Sequence, residues 1–261
     1  MRWHVIRALF RKHVYIMLRN LDKLFDVVWG PFTGLLLWGF TAVYLRGLTT
    51  DPGLMNMLLG GFILWTFFLI AQQDVNIFIL EDFWSHNLNN IFVSPVTLGE
   101  YLASTLLIGL GRALTAFTIL VTFAFLFYSM NVFAGGIFGV ALLGLVLLLF
   151  AWAFGMFLTG FIFRFGTSIQ FLTWTSAFIM QPFIAVFYPV TSLPVWMQPI
   201  SSLIPATHAF EGLRAILATG AIPWAHIWIG LGLDIVYLIG SYLVFGFLFR
   251  EACKQGRVAS S

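Results

Sequence analysis

Residues 132–163 read VFAGGIFGVALLGLVLLLFAWAFGMFLTGFIF and contain no Asp, Glu, Lys, Arg or His. A helix crosses the hydrocarbon core of a bilayer with about 20 apolar residues. This stretch is longer than a bilayer needs, so a helix built from it has to tilt or project from the membrane. It therefore predicts a membrane-spanning helix.

The composition of the whole chain also indicates a membrane protein. Of its 261 residues, 61% are hydrophobic and 9% are charged, whereas soluble domains carry about 25% charged residues. So few charges cannot cover a water-facing surface, so lipid has to be the solvent for most of the protein. The net charge of +3 is too small to indicate a nucleic-acid partner.

Five further apolar stretches lie on either side of the first. Together they predict six membrane-spanning helices within a single transmembrane domain that covers residues 1–261. The six predicted spans are residues 27–45, 54–73, 101–128, 132–163, 168–188 and 225–249. We therefore expect an all-α integral membrane protein, in which Pro182 kinks the fifth span.

Two connections between spans are long. Residues 81–96 are polar and rich in asparagine, and Thr97 and Glu100 after them form a capping box that begins the next helix. Residues 189–223 are too apolar for a solvated loop, and we expect short re-entrant half-helices there, because irregular backbone at membrane depth is tolerated only against protein or a water-filled cavity. Three prolines interrupt this second connection: Pro194, Pro199 and Pro205.

The basic residues predict how the chain is oriented. Most of them precede the first span or follow the last, which places both termini in the cytoplasm and agrees with an even number of spans. Residues 1–23 also place basic side chains on one helical arc and Trp3, Ile6 and Phe10 on the opposite arc. This pattern predicts an amphipathic helix that lies in the membrane surface. Alternatively, these charges only fix the topology.

Three ionisable residues lie within or beside the predicted spans. Arg112 is in the third span, Asp234 is in the sixth, and Asp74 is at the inner end of the second. Charges inside a membrane are costly, so Arg112 is expected to pair with Asp74 or with Asp234. A structural ion pair is favoured over a proton relay, because three scattered charges are too few for an ion-coupled pathway.

We expect no catalytic residue, metal or cofactor on this chain. No Walker A motif is present, so another subunit has to hydrolyse ATP if transport uses it. His208 and Glu211 share a helix face with Arg214 one turn on, which makes a metal or acid–base site conceivable. A helix that Pro205 begins and Thr207 caps, with Glu211 paired to Arg214, explains the same residues without such a site.

Two stretches resemble the permease subunits of ABC-2 type exporters, a family that includes polysaccharide, nodulation-factor and drug exporters. Residues 84–101, WSHNLNNIFVSPVTLGEY, resemble the cytoplasmic segment between the second and third spans of that family. Residues 188–205, YPVTSLPVWMQPISSLIP, continue to Glu211 and Arg214 and resemble its outer hairpin before the last span. The resemblance covers essentially the whole chain, and the hairpin is its more specific part.

The resemblance implies an inner-membrane permease that forms a dimer, with a second copy of this chain as the expected partner. Two cytoplasmic ATPase subunits would bind ATP and Mg. Residues 81–96 would contain the coupling helix, and because this segment begins with two acidic residues, its docking implies a basic ATPase surface. The candidate coupling residues are Glu81, Asp82, Trp84, Asn87, Leu88, Ser94 and Pro95.

Aromatic residues away from the membrane surfaces could line a path between the two subunits, where they would stack on sugar rings or hold acyl chains. Each of them also fits ordinary core packing or a lipid-facing position. The candidates are Trp38, Trp65, Phe67, Trp152 and Trp174. The favoured function is the permease of an ATP-driven exporter of an amphipathic, glycan or lipid-type substrate. A stand-alone ion-coupled carrier or channel, and a membrane enzyme built on His208 and Glu211, remain alternatives.

Overall fold

The computed structural model describes residues 2–48, 53–85, 87, 95–133 and 136–254. Within these ranges the regular elements are helices, as the composition predicts. Short 3-10 turns occur at Gly166–Ile169 and Val190–Ser192. The α-helices are α1 (Trp3–Arg19), α2 (Leu21–Leu48), α3 (Leu54–Trp84), α4 (Leu98–Tyr128), α5 (Ile137–Phe165), α6 (Phe171–Ile184), α7 (Met197–Ser202), α8 (Pro205–Thr219) and α9 (Trp224–Lys254).

Five helical segments in the described part of the chain are long and apolar enough to cross a membrane. They are Val27–Leu48, Leu54–Trp84, Leu98–Tyr128, Ile137–Ile169 and Trp224–Ala252. The protein is therefore an all-α, multi-pass membrane protein, as expected. The predicted fifth span, residues 168–188, contains the 14-residue helix α6, which alone is shorter than a span needs. The count of six spans thus stays a prediction.

Helix α6 ends soon after Pro182. Its last residue is Ile184, and Ala185 then turns the chain with a φ of 56°, in the left-handed region. The Tyr188 hydroxyl donates to the carbonyl oxygen of Pro182 over 2.9 Å, and Arg214 Nη2 donates to that of Ala185 over 2.9 Å. Side chains from outside the helix therefore satisfy carbonyls at the end of α6.

Two boundaries differ from the expected ones. The amphipathic helix ends at Arg19, and extended backbone at Asn20 separates it from α2, so Lys23 belongs to α2. Helix α3 continues to Trp84, so Glu81 and Asp82 lie on a helix and not in a loop. Helix α1 ends early because the side chain of an asparagine such as Asn20 competes with the helical backbone for hydrogen bonds. Helix α3 continues through its polar residues because Lys23 and Lys12 pair with Glu81 and Asp82.

Helices α3 and α5 form the centre of the molecule. Phe68 of α3 stacks on Phe150 of α5 with ring centroids 5.6 Å apart, and both side chains are fully buried. Gly155 allows the two backbones to approach closely, since a Cβ atom there would lie 2.9 Å from Cβ of Val75. Helix α4 packs on the same α3, and α9 packs on α5.

Helices α3 and α4 are longer than the membrane requires. Each has 31 residues, or about 46 Å at 1.5 Å per residue, whereas the hydrocarbon core is about 30 Å thick. The C-terminal end of α3 and the N-terminal end of α4 meet α1 in a group of charged side chains. Since charged groups favour water over hydrocarbon, the excess length projects from the membrane at this end.

Candidate functional site

Ion pairs hold α1 and the beginning of α2 against α3 and α4. We call this group the basal junction, and it consists of Arg2, Lys12, Lys23, Glu81, Asp82 and Glu100. Lys12 Nζ lies 2.6 Å from Oδ1 of Asp82, and Lys23 pairs with Glu81. The acidic residues that the resemblance implies for the coupling segment therefore bind lysines of the same chain.

Asp82 lies at the centre of the basal junction. Its Oδ1 accepts hydrogen bonds from Lys12 Nζ and, over 3.0 Å, from Asn87 Nδ2, and its Oδ2 accepts one from the Tyr101 hydroxyl over 2.7 Å. The Asp82 side chain is almost fully buried. A buried carboxylate needs such partners, because an unpaired one is costly. Asp82 thus joins α1, α3 and α4 through one carboxylate.

Arg2 and a capping box fix the beginning of α4. The Glu100 amide donates to Thr97 Oγ1 over 3.3 Å, and the Thr97 amide donates to Glu100 Oε2 over 3.0 Å. This confirms the capping box that the sequence predicts. The backbone amide of Arg2 donates to Glu100 Oε1 over 2.6 Å, and its guanidinium binds Glu100 Oε2 and the Pro95 carbonyl oxygen. The beginnings of α1 and α4 are therefore tied together.

His13 packs inside the basal junction, and its two ring nitrogens have no hydrogen-bond partner among the described residues. Its ring lies 4.6 Å from that of Phe78, centroid to centroid, and the residue is 1% exposed. Burial, and to a smaller degree the charge of Lys12, lowers the pKa of His13 to about 4. The imidazole is consequently neutral near pH 7 and joins α1 to α3 by packing.

The remaining predicted coupling residues lie around this junction. Trp84 is 48% exposed, and its Nε1 donates over 3.1 Å to Oε1 of Gln170, in the connection between α5 and α6. Trp84 therefore links the connections that follow α3 and α5. Leu88 and Ser94 lie outside the described residues.

A cavity of about 460 Å³ lies between α2, α3 and α6. Two of the predicted path residues line it. Trp38 stacks on Phe187 with ring centroids 4.0 Å apart, and Trp65 meets Phe178 edge-on at 6.2 Å. The cavity also has a polar part, lined by Gln73, Asp74, Arg112 and Gln181. It is therefore amphiphilic, with aromatic faces and a charged pair in one space.

The structure shows which acidic residue pairs with Arg112, a choice that the sequence left open. Arg112 Nη1 donates to Asp74 Oδ1 over 2.5 Å, so Arg112 pairs with Asp74 and not with Asp234. Gly109 makes the approach of α3 and α4 possible, since a Cβ atom there would lie 3.1 Å from Asp74 Cβ. Asp234 is fully buried on α9, and its carboxylate oxygens have no hydrogen-bond partner among the described residues.

The other predicted path residues do not line this cavity. Phe67 borders a separate apolar cavity of about 410 Å³ between α3, α4 and α5. Trp152 packs on the central core, and Trp174 is 39% exposed on α6. The structure thus brings Trp38 and Trp65 together with the Arg112–Asp74 pair and places the other three aromatic residues elsewhere.

The outer hairpin consists of a 3-10 turn, α7 and α8, and Glu211 ties these parts together. Its Oε1 accepts hydrogen bonds from the Val190 amide over 2.7 Å and from Arg214 Nη2 over 3.0 Å. Burial raises the pKa of Glu211, but these hydrogen bonds outweigh it and leave the pKa below its usual value. Glu211 is therefore ionised at neutral pH and holds the hairpin to α8.

The prolines and His208 complete the hairpin. Pro205 begins α8, as predicted, but its N-cap is Ile204, and Thr207 instead accepts a hydrogen bond from Ser201 Oγ. Pro194 accepts a hydrogen bond from the Met197 amide just before α7, and Pro199 lies within α7. His208 Nε2 lies 2.8 Å from the Ser202 carbonyl oxygen, so His208 and Glu211 have separate partners.

Together these features define a multi-pass α-helical membrane protein with an internal amphiphilic cavity. The chain matches the ABC-2 type transporter family over residues 3–218 and belongs to that family, which confirms the resemblance. It is therefore an ABC transporter permease, and permeases of this family usually work with an ABC ATPase partner. A comparison with curated proteins finds no match.

Proposed function

We propose that this chain is the permease of an ATP-driven exporter for an amphipathic substrate of the glycan or lipid type. It works as a homodimer in the inner membrane, with both termini in the cytoplasm and with two ATPase subunits that bind ATP and Mg. The observation that carries this proposal is the amphiphilic cavity between α2, α3 and α6.

The cavity suits a substrate that has an apolar body and a polar head. Its volume of about 460 Å³ falls in the usual range of small-molecule sites, which are mostly apolar with a few polar groups that fix orientation. The faces of Trp38 and Trp65 can stack on sugar rings or pack on acyl chains. Arg112 and Asp74 can hydrogen-bond hydroxyl, phosphate or carboxylate groups at the polar end.

The basal junction suits the transmission of movement from an ATPase to this cavity. Asp82 and Asp74 lie on α3 about 12 Å apart along the helix axis. On α4, Tyr101 binds Asp82 and Arg112 binds Asp74. The same two helices are therefore joined by a polar contact at the junction and by another at the cavity, so a displacement of the junction reaches the cavity.

Coupling in this proposal uses two sets of residues. The exposed indole of Trp84, together with the segment up to Pro95, contacts the ATPase. Glu81 and Asp82 act within the permease, because their pairs with Lys23 and Lys12 make the beginning of α2 and α1 move together with α3.

The test is affinity purification of the tagged chain from its own membranes in mild detergent, with mass spectrometry of the proteins that accompany it. We expect a stoichiometric ATPase that contains a Walker A motif. Asp82→Lys should reduce its recovery, and the exchange Lys12→Asp with Asp82→Lys should restore much of it. Trp228→Ala, which changes an exposed side chain near the beginning of α9, is the control and should change nothing.

Dimers purified without any ATPase would reject the proposal and favour a stand-alone carrier. An ATPase that is recovered equally with Asp82→Lys would keep the exporter but move the coupling contact away from the basal junction.

A further inference from the structure

An open groove runs between α1 and the membrane span α4. Its volume is about 600 Å³, and it lies beside the basal junction but shares no residue with it. From α1 it is lined by Trp3, Ile6, Arg7, Phe10 and Arg11, and from α4 by Leu107, Leu110, Gly111 and Leu114. One wall is thus amphipathic and the other is apolar.

Arg7 and Arg11 differ from the other basic residues near them. Arg2 and Lys12 on the same helix pair with acidic residues of α3 and α4. Arg7 and Arg11 are exposed, and within the described chain neither forms a hydrogen bond or an ion pair. They lie one helical turn apart, so both guanidinium groups face the same space. No acidic side chain is among the described residues that line the groove.

The length of α4 predicts that the groove lies at the depth of the lipid head groups. Helix α4 ends at Tyr128, and about 20 residues back from that end cover the hydrocarbon core. This places the membrane boundary near Leu107 and Leu110, so Arg7 and Arg11 lie at the height of the phosphates. Gly111 leaves the apolar wall open, since a Cβ atom built there meets nothing within 4 Å.

We propose that this groove binds one anionic phospholipid of the cytoplasmic leaflet. Its phosphate lies between the guanidinium groups of Arg7 and Arg11, where charge-assisted hydrogen bonds are strong. One acyl chain follows Leu110, Gly111 and Leu114 into the membrane. Two unpaired positive charges above an apolar wall suit an anionic lipid better than a zwitterionic lipid or a second copy of this chain. The proposal rests on the orientation given under Proposed function.

The test uses the full-length protein in mild detergent, titrated with phosphatidylglycerol or phosphatidylcholine and examined by native mass spectrometry. We expect phosphatidylglycerol to bind preferentially, with one tightly held molecule per chain. Each arginine near an anionic lipid contributes about a fivefold gain in affinity, so Arg7→Gln with Arg11→Gln should weaken its binding about 25-fold. The matched control, Arg19→Gln with Arg250→Gln, removes two exposed arginines outside the groove and should leave this binding unchanged.

A second variant tests the apolar wall without changing any charge. Gly111→Leu fills the open space and should also lower phosphatidylglycerol binding while the dimer mass and the circular dichroism stay the same. Equal losses of phosphatidylglycerol binding in both double arginine variants would show a general attraction between the lipid and the positive surface, and would overturn the proposal. Unchanged binding with Gly111→Leu, or a change in dimer mass with Arg7→Gln and Arg11→Gln, would overturn it as well.

Recovery of the ATPase is measured on the same variants. If the ATPase is recovered but the protein shows no preference for phosphatidylglycerol, the lipid site is rejected and the exporter proposal stands. If the protein prefers phosphatidylglycerol but no ATPase is ever recovered with it, the exporter proposal is rejected and the lipid site stands.

Discussion

Asp82 is a residue whose contacts differ from those that its position in the sequence suggests. In the sequence it stands beside Glu81 at the beginning of a polar connection, where an acidic pair suggests an outward-facing contact. In the structure its carboxylate accepts hydrogen bonds from α1, from Asn87 and from α4. A fully hydrogen-bonded buried group fixes the geometry around it, and removing one partner leaves the others unsatisfied.

His13 provides a prediction about pH at the same scale. Its pKa is about 4 in the folded protein, against 6.5 for a free histidine. Between these values the unfolded chain binds a proton that the folded chain excludes, so stability rises with pH and is lost as the pH falls from 6.5 towards 4. The slope from one such group is about 1.4 kcal/mol per pH unit. His13→Phe should flatten this dependence, which thermal unfolding in detergent between pH 7.5 and pH 5 would reveal.

The control for His13 is His4→Phe, which changes an exposed histidine on the same helix. It should leave the pH dependence of the unfolding temperature as it is in the unaltered protein. Parallel curves for His13→Phe and the unaltered protein would contradict the burial argument.

Among the helices, the contact between α3 and α5 depends on the absence of a side chain. A Cβ atom at Gly155 would lie 2.9 Å from Val75 Cβ and 3.1 Å from the Gln72 carbonyl oxygen. Gly155→Ala should therefore force the helices apart and destabilise the protein by about 1–3 kcal/mol. At Gly144 of the same helix a Cβ atom meets nothing within 4 Å, so Gly144→Ala should be neutral or stabilise by up to about 1 kcal/mol.

The unfolding temperatures of the two glycine variants in one detergent would measure this difference. If both alanines lowered the temperature equally, close packing at Gly155 would not be the reason for the glycine.

The elements of this protein were more predictable than the contacts between them. Long apolar stretches such as residues 132–163 predict spans because hydrophobic length is a local property. The pair of Lys12 with Asp82 joins residues 70 apart in the sequence, and Arg2 contacts Glu100 across 98 residues. No local pattern specifies such pairs, and for the same reason the sequence could not choose between Asp74 and Asp234 as the partner of Arg112. The helix cap at Thr97 was predictable because its partner is three residues away.

For the whole molecule, the number of spans determines which surfaces face the cytoplasm. Five long apolar segments occur in the described chain, and the crossing of α6 decides whether both termini lie on one side. Helix α6 is about 21 Å long, which is less than the hydrocarbon thickness of about 30 Å, and the 3-10 turn Gly166–Ile169 before it belongs to the preceding apolar segment. A crossing here therefore also needs residues that follow α6. Arg164, just before the turn, favours a cytoplasmic beginning of such a crossing.

Single cysteines on either side of α6 would test its crossing. Thr167→Cys lies before the helix, and Val195→Cys lies in the outer hairpin, where the side chain is 83% exposed. Both variants are made with Cys253→Ser and labelled in sealed vesicles by a maleimide that cannot cross membranes. A sixth span requires that the two cysteines react from opposite sides, and both should react after the vesicles are opened with detergent. If both react from the same side, α6 does not cross, the termini lie on opposite sides, and the cytoplasmic placement of either α1 or the C-terminal end of α9 has to be abandoned.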